Sequence, residues 1–203
     1  MPKTGEDRHE AFPVLVLAAG ASRRMGRAKA LLPLNSGTLL DHALGQARQL
    51  GSPVSVVAGG WYPLVRYRCR LQPSAWIYAR DWHDGLSASL KAGVGRIGPQ
   101  AKGVFVVLLD QPLIEPEALV ALAQAARRNP SQPFAADMDG KPGAPAYLPR
   151  HLWSQIMMLE GDKGAAGILA KNGATRIAME GASSDVDTPG DWRRISRLLS
   201  EQA

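Results

Sequence analysis

The stretch VLVLAAGASRRMGRAKALLPL, from Val14 to Leu34, indicates both the fold class and the chemistry of this chain. It begins with the apolar run 14–17 and then breaks into small residues around Gly20. Four cations follow at short intervals: Arg23, Arg24, Arg27 and Lys29. Small residues let backbone N–H groups approach phosphate oxygens closely, and Arg and Lys neutralise their charge. The stretch therefore predicts a buried strand that ends at a polyphosphate-binding loop.

The loop alone leaves a structural alternative open, because glycine and alanine turn the chain at many strand ends and clustered arginines are often solvated. Its spacing excludes two familiar phosphate-binding loops. Gly20, Gly26 and Lys29 do not form the GxxxxGK[ST] pattern of a P-loop. No GxGxxG pattern follows the strand, so the dinucleotide-binding fingerprint is absent as well.

The composition predicts one globular domain. The chain has 203 residues, of which 45% are hydrophobic and 21% are charged, as in ordinary soluble domains. This length suffices for one well-buried core and is short for two. We expect a flexible N-terminal lead-in over residues 1–11, whose acidic residues and lack of an apolar core argue against a secretory signal. Residues 12–203 are then expected to form a single domain.

Cysteine count and charge restrict the setting and the partners. The only cysteine, Cys69, excludes an intrachain disulfide and a metal site built from several cysteines, which fits a cytoplasmic protein. No apolar run approaches the ~20 residues that span a bilayer, so we expect no membrane partner. The net charge of +6 leaves a nucleic-acid-binding domain open as an alternative. Because the cations are spread along the chain, we favour anionic small substrates and expect no nucleic acid.

Apolar β-type runs alternate with helical patterns, which is typical of an α/β protein. We predict strands at 13–18, 54–58, 75–79, 103–109, 133–137, 144–148 and 174–178. We predict helices at 38–50, 62–71, 87–97, 116–128, 150–159, 163–172 and 189–200. The regular alternation in the first half predicts a parallel sheet covered on both faces. The continuously apolar run at 103–109 predicts a central strand of that sheet.

Two carboxylates are candidate ligands of a metal ion. Asp110 directly follows the apolar run 103–109, so it should lie at the sheet edge where ligands bind in such folds. Mg²⁺ prefers one or two carboxylates together with phosphate oxygens, although a turn or cap role for Asp110 is the structural alternative. The segment 185–189 offers two more carboxylates, Asp185 and Asp187, which its alternating pattern would place on one side of an extended chain, and Thr188 suits the N-cap of the last helix. A metal ligand at Asp187 and a helix cap at Thr188 can occur together in the segment 185–189.

Three other segments carry candidate ligand contacts. Ser89 lies in the first turn of the predicted helix 87–97, where its hydroxyl could touch a ligand. We expect a tight turn at 140–145 and a helix start at 161–165, where free N–H groups could hold a phosphate. His83 lacks an arranged serine or cysteine nucleophile, so a hydrolytic triad is not expected.

Six motifs in one order resemble those of the MobA-like nucleotidyltransferases, and within them the molybdenum cofactor cytidylyltransferases. The first is LAAGASRRMG at 17–26 with Lys29 and LLP at 31–33, which is similar to LAAGxSxRMGxxKxLLP. The others are DW at 81–82 with GLSASL at 85–90, DQPL at 110–113, GAP at 143–145, GDKGA at 161–165 and DVDTP at 185–189. Together they reach from Leu17 to Asp191, so the resemblance covers most of the chain.

The resemblance implies a Rossmann-like three-layer α/β/α sandwich with a mostly parallel central sheet, and Mg²⁺-dependent transfer of a nucleoside monophosphate from a triphosphate. By position, it implies nucleotide contacts at Ala18, Ala19, Gly20, Ser22, Arg24, Lys29 and Ser89. It implies catalytic roles for Arg24, Lys29 and Asp110, and Mg²⁺ held by Asp110 and Asp187. It implies acceptor contacts at Gln111, Gly143, Pro145 and Asp162.

The first loop also bears on the substrate. Relatives that transfer GMP tend to show LAGG where this chain has LAAG at 17–20, so the resemblance implies transfer of CMP from CTP to the terminal phosphate of molybdopterin, with release of pyrophosphate. Two positions depart from the family pattern. Leu109 replaces the usual glycine beside the expected metal site, and Ala144 replaces the usual histidine in the expected acceptor pocket.

The expected partners are CTP and molybdopterin or molybdenum cofactor, with a molybdenum hydroxylase or its chaperone as a recipient of the product. Two further readings stay open at this point. One is a nucleotidyltransferase that uses another nucleoside triphosphate or a sugar or alcohol phosphate acceptor. The other is a non-catalytic carrier of the finished cofactor, which would release no pyrophosphate.

Overall fold

The structure, a computed structural model, describes residues 12–34 and 37–201. The predicted lead-in at 1–11 lies outside these residues. The described strands are β1 (Val14–Ala18), β2 (Pro33–Leu34), β3 (Gly37–Thr38), β4 (Val54–Ala58), β5 (Ala75–Tyr78), β6 (Gly103–Leu108), β7 (Phe134–Met138), β8 (Lys141–Pro149) and β9 (Thr175–Ile177). All seven predicted strands are confirmed, and the short β2–β3 ribbon is an addition.

The described α-helices are α1 (Leu39–Leu50), α2 (Leu64–Arg68), α3 (Leu86–Val94), α4 (Pro116–Arg128), α5 (Trp153–Met157), α6 (Ala166–Lys171) and α7 (Pro189–Glu201). Short 3-10 turns lie at Arg23–Met25, Lys29–Leu31, Trp82–Asp84 and Arg150–Leu152. The predicted helices at 62–71 and 163–172 are shorter in the structure. No helix in the described part of the chain is long and apolar enough to cross a membrane.

Seven strands form one sheet in the order β5-β4-β1-β6-β8-β7-β9. The pairs β4–β5, β1–β4, β1–β6 and β7–β9 are parallel, whereas β8 runs antiparallel to both β6 and β7. The sheet is therefore mostly parallel, which confirms the predicted fold class.

Side chains of β1 show how the two faces are covered. Val14 and Val16 pack into a core with α1, α4 and α7, whereas Leu15 and Leu17 pack into a second core with α3, α5 and α6. Successive strand residues point to opposite faces, so the apolar run must be buried on both sides. Helices on both faces of the sheet give the three layers that were expected.

The start of α7 is capped as its sequence indicates. The backbone N–H of Asp191 donates to the Thr188 hydroxyl at 3.2 Å, and the Thr188 N–H donates back to the Asp191 carboxylate at 2.8 Å. This reciprocal arrangement satisfies donors at the start of α7. It confirms Thr188 as a cap and holds the chain segment that carries Asp187.

Two contacts bring the candidate residues to one edge of the sheet. β1 pairs with β6 so that Leu17 lies opposite Leu108, and the chain leaves both strands on the same side. The N–H of Val186 donates to the Asp110 carbonyl at 2.8 Å, which ties the segment 185–187 to the end of β6. Three segments distant in sequence therefore meet at the carboxyl ends of the central strands, where ligands bind in open α/β sheets.

Candidate active site

The residues between Ala18 and Lys29, here called the phosphate loop, close on themselves. The backbone N–H of Lys29 donates to the Ser22 hydroxyl at 3.2 Å, and the N–H of Met25 donates to the Ser22 carbonyl at 3.0 Å. Ser22 has φ 55, in the left-handed region that few residues other than glycine adopt. A strained position held by surrounding bonds is typical of ligand-binding loops.

A neighbouring segment supports the same loop from outside. The indole N–H of Trp61 donates to the Ala21 carbonyl at 2.8 Å, and the N–H of Gly60 donates to the Ala19 carbonyl at 3.0 Å. Gly59 packs so closely against Ala19 and the ring of Trp82 that a Cβ there would overlap both. The phosphate loop is therefore shaped by the chain that follows β4.

Lys29 stands at the centre of the site. Its Nζ lies 2.9 Å from Asp110 Oδ2 and 2.9 Å from Asp187 Oδ1, and its side chain is only 10% exposed. Burial by itself would lower the pKa of Lys29, but the attraction and hydrogen bonds of the two carboxylates outweigh it and raise the pKa above its usual value. Lys29 is thus a fixed positive charge between two acids.

Arg24 binds Asp187, one of the two carboxylates that hold Lys29, from the solvent side. Its guanidinium lies 2.9 Å from Asp187 Oδ2, while its side chain is 71% exposed. Exposed ion pairs contribute little to stability because water screens them. Arg24 can therefore exchange Asp187 for a ligand phosphate at small cost, whereas Lys29 is held on two sides.

The predicted nucleotide contacts lie around two adjoining cavities. The first has a volume of about 260 Å³, and its lining includes Ala18, Gly20, Ser22, Arg24, Lys29, Asp110 and Asp187. The second has a volume of about 520 Å³, and its lining includes Ala19, Gly20, Trp82, Ser89, Asp110 and Asp162. Together they give a concave surface with cations at one end and the aromatic ring of Trp82 at the other. The structure thus brings the predicted nucleotide contacts together, and their binding role stays a prediction.

Asp162 reaches this surface because of one glycine. Gly85, at φ 106, packs against Gly161 and Asp162 so closely that a Cβ would overlap both, and the N–H of Ser87 donates to the Gly161 carbonyl at 3.1 Å. The turn before α6 is therefore docked on the start of α3. This contact places the predicted acceptor contact Asp162 beside the predicted nucleotide contact Ser89.

The remaining predicted acceptor contacts are distributed differently. Gly143, next to Ala144, lines a third cavity of about 350 Å³ whose walls are almost entirely apolar. Pro145 is buried in β8. Gln111 is only 1% exposed, and its amide N–H donates to the Ala182 carbonyl at 2.7 Å. The Gln111 side chain is thus turned into the protein, and the acceptor contacts expected at Gln111 and Pro145 stay predictions.

Residues of α1 support the Asp110 turn from behind, and sequence reasoning missed this. Gln46 Nε2 lies 3.3 Å from the Gln111 carbonyl and 3.4 Å from the Ile114 carbonyl, and His42 Nε2 lies 3.0 Å from the Pro112 carbonyl. The signal that could have revealed them is a pair of polar residues, one helical turn apart, on the apolar face of an otherwise buried helix.

The sequence pattern predicted Asp185 on the same side of the chain as Asp187, but of the two only Asp187 lines the cavity beside Lys29. Burial first, and then repulsion from Asp110 and Asp187, raise the pKa of Asp185 to about 6. Its Oδ1 and the Oε1 of Gln111 are both buried without a hydrogen-bond partner among the described residues. The second carboxylate of the segment 185–187 therefore lies behind the site rather than in it.

The two half-buried carboxylates, Asp110 and Asp187, fit the expected Mg²⁺. Asp110 and Asp187 converge on one ammonium group, so a cation is already accommodated between them, and carboxylate oxygens are ligands that Mg²⁺ prefers. Within the described ranges no group of three or more acidic, histidine or cysteine side chains could hold a metal by itself. A metal held by two carboxylates would take its other ligands from phosphate and water, which is usual for Mg²⁺.

The first strand, the cationic loop and Asp110 all lie within the part of the chain that one family model matches. The model of the MobA-like NTP transferase domain matches residues 14–176. The chain belongs to this family. Its class as a nucleotidyltransferase, expected from the six motifs, is thereby confirmed, and so is the family that they resemble.

Relatives of this transferase carry two kinds of name. The purine catabolism protein PucB of Bacillus subtilis (strain 168) is 29% identical in an alignment of 203 residues that covers 91% of this chain and 95% of PucB. The probable molybdenum cofactor guanylyltransferase of Mycobacterium tuberculosis (strain ATCC 25618 / H37Rv) is 37% identical over 117 residues, which are 55% of each chain. The second match thus spans about half of both proteins.

Solved structures show the same fold. The crystal structure of Rv0371c from Mycobacterium tuberculosis H37Rv has 29% identity and a TM-score of 0.81, and the alignment covers 92% of this transferase and 98% of Rv0371c. Rv0371c has also been solved as a complex with manganese, for which the identity is 27% and the TM-score 0.77 over 92% of this chain and 98% of the other. A divalent cation is thus present in the crystal of one relative.

Proposed function

We propose that this transferase moves CMP from CTP to the terminal phosphate of molybdopterin or molybdenum cofactor, with release of pyrophosphate. The observation that supports this most strongly is the position of Lys29, 2.9 Å from both Asp110 and Asp187 beside a loop of small residues. Fixed cations and fixed carboxylates at one point are what a polyphosphate and its metal ion require. A non-catalytic carrier would need neither.

The chain's own cations bear the triphosphate in this proposal. Arg24 exchanges a carboxylate oxygen for phosphate oxygens, Lys29 contributes its charge from its place between Asp110 and Asp187, and both offset the charge that develops on pyrophosphate as it leaves. Backbone at Ala18, Ala19 and Gly20 lies beside the base or ribose, where the absence of large side chains allows close approach. Ser89 lies at the far side of the same concave surface and contacts the base.

Asp110 and Asp187 would hold Mg²⁺, and when bound the ion supplies Lewis-acid polarisation of the phosphate and neutralises its charge. The attacking group is a phosphate monoester, which is already ionised at neutral pH. No strong general base is needed, so the protein's task is to bring two anions together in line. The cluster of cations around the phosphate loop performs that task.

The acceptor is proposed to enter from the third cavity. Leu17, Leu86 and Leu108 line both this cavity and the second nucleotide cavity, so an acceptor there lies next to the nucleotide. Ala144 leaves room that a histidine would fill. Gly143 and Asp162 are the proposed acceptor contacts, and a molybdenum hydroxylase or its chaperone is the proposed recipient in the cytoplasm.

GTP is the second candidate donor. It is favoured by the names of the mycobacterial relatives, which are called probable molybdenum cofactor guanylyltransferases. The LAAG sequence of the phosphate loop favours CTP instead, because guanylyl-transferring relatives tend to carry LAGG. One residue in the first loop thus separates the two proposals.

The test is a direct assay of the purified protein with CTP, GTP or ATP, together with molybdopterin and Mg²⁺. We expect pyrophosphate release with CTP and a cytosine dinucleotide product. Faster pyrophosphate release with GTP would make GTP the donor instead of CTP. Release only with a sugar or alcohol phosphate would make that compound the acceptor instead of molybdopterin. No pyrophosphate with any pair, from protein that binds molybdopterin, would show a carrier.

A further inference from the structure

The open edge of the sheet at β5 carries an unusual surface that the transfer reaction does not use. Residues 42–80 contain five arginines and no aspartate or glutamate. Five of the chain's Trp, Tyr and Phe residues lie between positions 61 and 78. Among the described residues, half of the exposed large hydrophobic side chains come from the same stretch: Leu64, Tyr67, Leu71 and Tyr78.

Three of the aromatic rings form one platform. The Tyr62 ring centroid lies 5.4 Å from that of Tyr78 and 6.4 Å from that of Trp76. Trp76 and Tyr78 are two residues apart in β5, so they point to the same face of the strand. Tyr78 is 49% exposed, so a large part of this platform is in contact with water.

The platform is held in place before any partner arrives. The indole N–H of Trp76 donates to Gln72 Oε1 at 3.1 Å, and Gln72 Nε2 donates to the Cys69 carbonyl at 3.0 Å at the end of α2. The Arg66 guanidinium donates to the Tyr62 hydroxyl at 3.1 Å. Rings that are already ordered lose little conformational entropy on binding, which favours their use in recognition.

Exposed arginines precede and follow the β5 rings in the chain. Arg66 and Arg68 are exposed on α2, Arg80 follows the strand, and Tyr67, which is 80% exposed, lies between the first two along the helix. The nearest carboxylates along the chain are Asp41, which is buried and accepts bonds from Leu71 N–H and the Cys69 thiol, and Asp81. We call Tyr62, Trp76, Tyr78, Arg66, Arg68 and Arg80 the edge surface.

The backbone of β5 adds a third feature. In the described sheet β5 pairs only with β4, so its other side presents unpaired N–H and C=O groups. Such an edge is a template for an added strand, and strand addition is a common mode of peptide recognition. A nucleic acid would use the arginines and rings but would leave these backbone groups without partners.

A second copy of this chain does not complement the edge surface. It would bring a second set of the same arginines against the first, and like charges in contact oppose association. We propose that the edge surface binds an extended, acidic segment of another protein, which adds a strand beside β5 and places its carboxylates on Arg66, Arg68 and Arg80. On the face of that strand that lies over the platform, acidic and apolar side chains take turns, so that the apolar ones cover the rings while the carboxylates reach the arginines.

The test uses a short fluorescein-labelled peptide that repeats Glu-Thr-Val-Thr, so that glutamate and valine alternate on one face of the strand, with binding followed by fluorescence anisotropy. One control peptide replaces glutamate by lysine, and another keeps the glutamates but contains prolines that prevent strand pairing. An oligothymidine of similar charge tests the nucleic-acid alternative. We expect only the alternating acidic peptide to bind tightly, and its binding to weaken with added salt.

The variant Arg66→Glu/Arg68→Glu should lower the affinity for that peptide by about tenfold or more, because two attractions become repulsions. Arg193→Glu/Arg197→Glu, which makes the same charge change on exposed positions of α7, is the matched control and should bind as the wild type does. Circular dichroism melting checks that both variants are folded, and nucleotidyl transfer should be unchanged in both.

Each of four results would overturn the proposal. The wild type could fail to bind the alternating acidic peptide, or the two double variants could bind it equally well, in which case the edge surface is not the site. Equal binding of the proline-containing peptide would exclude strand addition as the mode of binding. Tighter binding of oligothymidine, abolished by Arg66→Glu/Arg68→Glu, would assign the surface to nucleic acid instead.

Discussion

The phosphate loop and the edge surface both concentrate cations, but they differ in what surrounds the charges. Lys29 is 10% exposed and lies 2.9 Å from two carboxylates, whereas Arg66 is exposed and donates to the neutral hydroxyl of Tyr62. A buried, paired cation is held at one point, where it can serve chemistry. An exposed cation in a stretch without acids projects its field into solvent, where it can attract a partner. Positively charged side chains thus acquire different uses from their tertiary surroundings.

The largest effect should come from the carboxylate opposite Lys29. Asp110→Asn removes the charge that both Lys29 and the proposed metal require, so we expect kcat/KM for pyrophosphate release to fall by about 10³-fold or more. Asp139→Asn, at an exposed turn with positive φ that asparagine tolerates, is the matched control. An Asp110→Asn protein with nearly wild-type turnover would remove Asp110 from the metal site.

Removal of the central cation should have the next largest effect. Lys29→Ala takes away a preorganised charge donor and leaves Asp110 and Asp187 facing each other, so we expect kcat/KM to fall by about 10²-fold. Lys171→Ala, on the exposed side of α6, is the control for loss of a lysine elsewhere. If Lys29→Ala kept its steady-state rate, the contrast between the paired and the exposed cations would have no catalytic meaning.

Arg24 lies between the two extremes, since it is paired with Asp187 but 71% exposed. We expect Arg24→Ala to raise KM for the nucleotide by about tenfold with a smaller change in kcat, because an exposed charge contributes mainly to binding. Arg24→Lys should restore part of the affinity. A loss as large as that of Lys29→Ala would mean that exposure does not separate the two cations.

The smallest effect concerns His42 of α1, the helix that supports the turn after Asp110. Burial lowers the pKa of His42 from 6.5, although the hydrogen bond to the Pro112 carbonyl opposes this. The unfolded chain therefore accepts a proton that the folded protein resists, and stability is lost as the pH falls below 6.5. His42→Gln retains a hydrogen-bond donor and removes the titrating group. Its urea midpoint should therefore rise relative to that of the wild type as the pH falls below 6.5.

The matched control for that experiment is His151→Gln, at an exposed position on the far side of the molecule. Midpoints compared between about pH 5 and 8 separate titration from a general effect of the substitution. A constant difference between His42→Gln and wild type across that range would show that protonation of His42 does not affect folding.

The predicted elements differ in how well their sequences reveal them. The run at 103–109 became β6 almost unchanged, because a strand buried on both faces must be apolar throughout. β8 begins at Lys141, three residues before the predicted 144–148, because Lys141-Pro142-Gly143 pairs with β7 although its composition is typical of a turn. The β2–β3 ribbon has two residues in each strand and leaves no periodic pattern to detect.

The candidate site shows a similar division. The motifs name Ser22, Lys29, Asp110 and Asp187, and the structure brings all four together, although their binding and catalytic roles stay predictions. The motifs do not show that Lys29 occupies the space between the two acids, which are 81 and 158 residues away along the chain. They also do not show that Gln111, inside a functional motif, turns into the core.

Short-range chemistry was determined by the sequence alone: buried strands by their apolar runs, the cap of α7 by Thr188, and the family by six motifs in order. The tertiary structure alone decided which charges meet, so that Lys29 is enclosed by carboxylates while Arg66 and Arg68 are exposed in a stretch, 42–80, that contains no aspartate or glutamate. The reason is physical. Local structure depends on neighbouring residues, whereas the partner of a charge depends on how distant segments pack, and burial changes both its cost and its use.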